Sequence, residues 1–162
     1  MGHSSTLTVA KVNTNEKFHA SSQSLTHLTK KTVLAEHLKK AEIPEVYGLA
    51  SRVIELLKQR IGYSSLSIAS IAFELHVSTR TLQRRLSEQS LSFSELRDQV
   101  RHYYGIHAVL QDWYNIDDIY ILLGFSDKSS LAIAFRRWTG STPRAFGRMY
   151  KNEYNSFTFA KV

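Results

Sequence analysis

Cysteine is absent from the 162 residues, which removes disulfides, zinc-thiolate sites and thiol catalysis together. The absence fits a reducing cytoplasm, where localisation is expected. No apolar run approaches the roughly 20 residues of a membrane-spanning helix, so no membrane partner is expected. The N-terminus lacks the charged-then-apolar pattern of a secretory signal. There is no glycine-rich phosphate loop and no nucleophile elbow. His102 and His107 stand five apart and do not share a helix face, which argues against a metal pair. Asp117 and Asp118 read as helix-start acids, not as a catalytic carboxylate pair. An enzyme, a metal site and a cofactor are therefore not expected.

What is present suits one domain with a proper core. Hydrophobic residues make up 43% of the chain, enough to argue against global disorder. The net charge of +7 comes from 21 basic and 14 acidic residues, and it is spread along the chain. Between residues 60 and 150 the basic residues are all arginine apart from Lys128. Arginine is the better group for planar, bidentate recognition of phosphates and bases. A polyanionic partner is compatible with this balance.

Residues 1–44 read as a leader or the remnant of an N-terminal domain, with a weak alternation over Thr6–Val12 and a short helix over Thr32–Lys40. Pro44 can open the next helix, which runs to about Arg60 on Leu49, Val53, Leu56 and Leu57. Gly62 stops it. Ile68, Ile71, Ala72 and Leu75 form one short helix, and His76-Val77-Ser78 turns the chain. Ser78 caps a second helix over Thr79–Leu86, where Leu82 and Leu86 stack on one face. Arg80, Gln83 and Arg84 then face outward. Two helices joined by so short a turn make a helix-turn-helix, here over residues 65–90.

Ser92 and Glu95 form a capping box that opens a long helix to about residue 112. Gly105, in its middle, suggests that another helix backbone comes close. The first pattern then returns over residues 115–138. Asn115 is expected to cap a helix, Gly124-Phe125-Ser126 turns, and Leu131 and Phe135 anchor a second helix. Ile68, Ile71, Leu75, Val77 and Ser78 lie over Ile116, Ile119, Leu123, Phe125 and Ser126 at a constant offset of 48, and Leu82 lies over Leu131 with one extra residue. This is an internal repeat. Thr142-Pro143 starts a last helix ending near Tyr150, and 151–162 reads as a tail.

At these residues the chain resembles the DNA-binding domain of AraC/XylS-type bacterial transcription regulators. The resemblance covers roughly Tyr47 to Arg148. It rests on Leu123-Gly124-Phe125-Ser126-Asp127, on Phe135-Arg136-Arg137-Trp138-Thr139-Gly140-Ser141-Thr142-Pro143, and on Arg80-Thr81-Leu82-Gln83-Arg84-Arg85-Leu86. It implies an all-α fold of two homeodomain-like helix-turn-helix units joined by one long linker helix, within residues 45–150. It further implies double-stranded DNA as partner, RNA polymerase beside it, activation more often than repression, and self-association through an N-terminal sensor domain. Carried over by position, Arg80, Gln83, Arg84, Lys128, Ser129, Ala132 and Ile133 are the base-contacting candidates. Thr79, Arg85, Arg136 and Arg137 are the phosphate-contacting ones.

The chain departs from the pattern in its second reader. Ala132 and Ile133 stand where that family commonly shows Ser and Arg, and Ile133 falls on the outward face. A protein-interaction module derived from such a pair is the rival reading: Ile133 favours it, and Arg80 and Arg84 oppose it.

Overall fold

The computed structural model describes residues 14–112 and 114–159, with side chains for 25–112 and 114–157. The described residues form helices and no strand: α1 (Thr14–Ala41), α2 (Leu49–Arg60), α3 (Ile68–Glu74), α4 (Thr79–Ser87), α5 (Phe93–Leu110), α6 (Ile119–Leu122), α7 (Lys128–Thr139) and α8 (Pro143–Phe159).

The central element is α5. Ser92 accepts a hydrogen bond from the Glu95 backbone N–H at 3.2 Å, and the Glu95 carboxylate accepts one from the Ser92 N–H at 3.0 Å. That closes the expected capping box. Leu96, Val100, Ile106 and Leu110 are buried along the helix. The units before and after α5 close over it: α2 packs on it from the first, α6 and α7 from the second. The first unit is α2–α4 and the second is α6–α8.

The units also touch each other directly. Gly62 ends α2 at φ +79°, and its N–H donates to the Leu122 carbonyl of the second unit at 2.9 Å. Leu66 lies against Gly124, a second point of contact between the two units. The expected approach at Gly105 is also there, but side chains make it. A β-carbon at that position would stand 3.1 Å from Leu123 and 3.3 Å from Trp138.

Several expectations need correction. The short helix expected over Thr32–Lys40 is longer, Thr14–Ala41, and its last turns dock on α5 and α8. Leu34 and Ala41 are buried there with Leu38 beside them, and the His37 ring meets Phe146 and Tyr150 at 5.3 and 5.8 Å. The Thr6–Val12 alternation lies outside the described residues. Pro44 does not open α2; it sits in the connection, and Gly48 precedes the first helical residue. Asn115 caps no helix: its side chain accepts from the Asp117 N–H at 3.1 Å, a local turn, and α6 begins only at Ile119. The last helix runs past Tyr150 to Phe159, because Phe146, Tyr150 and Glu153 continue a buried stripe at helical spacing.

Candidate nucleic-acid interface

The two turns are built alike. In the first, the His76 N–H donates to Phe73 O and Val77 N–H to Ala72 O; in the second, Gly124 N–H donates to Ile121 O and Phe125 N–H to Tyr120 O. Each bond lies 48 residues from its counterpart. His76 at φ +54° and Gly124 at φ +65° are the matching left-handed residues, so the first turn places a histidine where glycine is cheaper.

The extra residue of the second copy is Ser126. Ser78 caps α4 by accepting from Thr81 N–H at 3.0 Å, whereas α7 is capped by Asp127, which accepts from Ser130 N–H at 2.8 Å. The Ser78–Ser126 pairing is thereby corrected to Ser78–Asp127, one residue further on. Hydrogen bonds from the Ser130 backbone and from the Ser126 and Ser130 side chains hold the Asp127 carboxyl below its ordinary pKa.

Leu82 and Leu86 are buried under α4, and Leu131 and Phe135 under α7. With these anchors, α4 exposes Thr79, Arg80, Gln83, Arg84 and Arg85. On α7, Lys128, Ser129, Ile133, Arg136 and Arg137 are exposed and Ala132 is half-buried. At the offset of 49 set by the caps, Arg80 matches Ser129, Gln83 matches Ala132 and Arg84 matches Ile133. One outward face is polar and cationic. The other is small and apolar, with Ile133 at 66% exposure.

Partners differ among these side chains. Arg84 pairs with Glu88 four residues on, and Lys128 approaches Asp117 at 3.7 Å. Exposed pairs of that kind are worth only about 0.2–1 kcal/mol, so either cation can exchange its carboxylate for a nucleic-acid group. Arg80, Arg85 and Arg136 have no ion pair among the described residues. Arg137, expected free for phosphate, is instead engaged: it pairs with Asp98 of α5, whose other oxygen accepts the Trp138 indole N–H at 3.0 Å.

Sequence reasoning missed the residues by which α5 grips the second unit. Arg101 donates to the Leu123 and Gly124 carbonyls at 2.8 and 2.6 Å, satisfying the C-terminus of α6. Burial, and then the neighbouring Arg97, push its pKa down to about 10, so it stays cationic at neutral pH. His102 stacks on Trp138 at 5.1 Å, and burial holds its pKa down to about 4. Ser94, Arg97, Asp98 and Arg101 share one helical stripe, a spacing visible in the sequence had the linker been read as more than a spacer. Among the described residues no group of three or more His, Asp or Glu could hold a metal ion, and no helix is long and apolar enough to cross a membrane.

Comparison with known proteins matches residues 71–149 to a family model described as a helix-turn-helix domain. The HTH-type transcriptional regulator VirS of Mycobacterium tuberculosis is 31% identical over 116 residues, 72% of this chain and 34% of its own length. The ornithine utilization regulator of Pseudomonas aeruginosa is 36% identical over 96 residues, 59% of this chain and 28% of its own. The chain thus spans about a third of the length of the curated relatives it matches. Among solved structures, the transcriptional regulator CdpR of Pseudomonas aeruginosa matches with a TM-score of 0.56 and 34% identity, over 62% of this chain and 32% of that one. A DNA-binding transcriptional dual regulator of Escherichia coli K-12 matches at the same TM-score of 0.56 over 64% of this chain and 98% of its own, and its 23% identity carries the fold alone.

Proposed function

We propose that the chain, whose residues 71–149 match a helix-turn-helix domain and which is similar to HTH-type transcription regulators, is a regulator of the AraC/XylS type that binds double-stranded DNA sequence-specifically, most often to activate transcription. The observation that carries the reading is the outward face of α4. Arg80, Gln83 and Arg84 are all exposed on a helix held by two fully buried leucines. Arginine pairs bidentately with guanine and glutamine with adenine in the major groove.

The second reader works differently. Ala132 and Ile133 offer contact to a thymine methyl, and Lys128 and Ser129 reach base edges from the first turn of α7. Thr79 and Arg85 in the first unit, and Arg136 with Arg137 in the second, hold register on phosphates, which positions the protein without reading sequence. Asp98 competes for Arg137, so Arg136 is the stronger phosphate contact of the two. The direct contact between units supports a defined spacing of the two readers. Adjacent major-groove segments on one face stand roughly 34 Å apart, and any shorter spacing bends the duplex at a cost on the order of a few kcal/mol. RNA polymerase and a second copy, held through a further domain, are the partners of such a regulator in this reading, and its place is the bacterial cytoplasm.

A protein-interaction module is the second reading, favoured by the exposure of Ile133 at the centre of α7. Gel-shifts of a random duplex at two salt concentrations separate the two. Salt-dependent binding followed by selection of a long asymmetric site supports DNA reading; no salt-dependent binding supports the interaction module.

A further inference from the structure

Two clefts border the start of α5, and both are lined by Ser94 and Arg97. One, of about 420 Å³, lies against α7 and includes Ser130, Ile133 and Arg137. The other, of about 340 Å³, lies against α4 and includes Gln83 and Ser87. Arg97 thus stands between the two outward-facing helices. Its guanidinium carbon lies 5.5 Å from the centre of the Phe93 ring, and it has no ion pair among the described residues.

The acids beside it are already committed. Glu95 is held in the capping box with Ser92, and Asp98 by Arg137 and Trp138. Arg101 is spent on the carbonyls of the second turn. The cleft against α7 therefore carries three arginines to two carboxylates, and Arg97 alone among those cations has no anionic or carbonyl partner.

Between two major-groove segments on one face, B-DNA turns its minor groove and the two bordering phosphate rows toward the protein. Building on the DNA-binding reading above, we propose that Arg97, with the Ser94 hydroxyl, is a third DNA contact, made to the phosphates that border the minor groove between the two subsites. Arg97 is the positioning residue for the duplex segment that neither α4 nor α7 touches. Because it binds charge and not base edges, it acts alike on cognate and random sequence.

The test uses the full chain and a duplex selected by it from a random pool. Arg97→Ala should weaken cognate and random binding alike, several-fold, and reduce the slope of log affinity against log salt by about 0.9. Arg97→Gln keeps a stem over Phe93 and serves as the second variant, with thermal melts of both confirming the fold. Neutral methylphosphonates at the spacer phosphates should weaken the parent chain and leave Arg97→Ala unaffected. Unchanged affinity and slope in both variants, with the parent still selecting a site, overturns this inference alone; so does a methylphosphonate penalty equal in parent and variant. A parent chain with no salt-dependent duplex binding overturns the DNA-binding reading and this contact together.

Discussion

The guanidinium carbon of Arg101 lies 4.3 Å from the centre of the Phe125 ring while its nitrogens cap Leu123 and Gly124. One linker side chain thus fixes both the end of α6 and the aromatic residue of the second turn. Arg101→Ala leaves two turn carbonyls without their donor and removes the ring contact. A loss of about 2 kcal/mol is expected in urea unfolding, since charged hydrogen bonds to such groups contribute on the order of 1.5–3 kcal/mol. Hydrogen exchange should show α6 and α7 losing protection first. Uniform loss across α4 and α7 would count against a local clamp.

The repeat was legible because its anchors are buried apolar residues at helical spacing: Leu82 and Leu86 in one copy, Leu131 and Phe135 in the other. Arg101 was not legible. A cation that satisfies carbonyls brought in from 22 residues away leaves no trace in periodicity. The same holds for Asp98, whose partners Arg137 and Trp138 lie about forty residues on. The length of α1 was hidden because its docking face is short, Leu34, Leu38 and Ala41, on an otherwise polar segment. Asn115 misled because the signal that caps a helix also closes a two-residue turn. The outward faces of α4 and α7, by contrast, followed from the helical angle alone once the leucines were placed.

Gly105 should tolerate nothing branched. A β-carbon already meets Leu123 and Trp138 at 3.1 and 3.3 Å, and Phe135 lies at 3.8 Å. Gly105→Ala combines that crowding with a helix-propensity gain of about 1 kcal/mol, so the two effects offset. Gly105→Val adds two methyls with nowhere to go and should cost about 2–3 kcal/mol. Denaturation midpoints of the two variants check this; equal midpoints would show that the second unit moves away freely.

Acid should loosen the junction of α5 with the second unit. An unfolded histidine protonates near pH 6.5, whereas burial holds His102 down to about 4, with the Asp98 charge opposing that and His37 and Arg137 adding to it. Between those values the unfolded chain binds more protons, so stability rises with pH. The contribution is complete above about pH 6.5 and is lost as pH falls toward 4, on the order of 3 kcal/mol in all. His37 and His107 are lowered by burial too, with the same sign. His102→Phe keeps an aromatic ring facing Trp138 and should flatten the stability profile between pH 4 and 6.5. A profile with the parent's slope would remove His102 from the account.

Arg84→Ala and Arg136→Ala should fail in different ways. Arg84 gives up only a weak surface pair with Glu88, so its loss is felt at the base it reads: about 1–3 kcal/mol on the selected site, with relaxed preference at one base pair. Arg136→Ala should weaken all sequences alike and flatten the salt slope. Titrations against selected and random duplexes distinguish the two, and equal losses on both duplexes for Arg84→Ala would sink its base-reading role.

The apolar second reader can be tested atom by atom. Ile133 is 66% exposed on the face where α4 shows Arg84, and an isoleucine left in water gains nothing from that position. If it seats against a thymine methyl, replacing that thymine by deoxyuridine removes one methyl group from the contact. The loss should be about 0.8 kcal/mol, the value of one buried carbon, roughly a fourfold drop in affinity. The same replacement should cost the Ile133→Ala chain much less, since its partner atoms are already gone. Deoxyuridine at thymines facing α4 serves as the control, where Arg and Gln contacts do not depend on the methyl. Equal sensitivity of parent and Ile133→Ala to every thymine would leave Ile133 facing a protein and not a base, and the interaction-module reading would then account for its exposure.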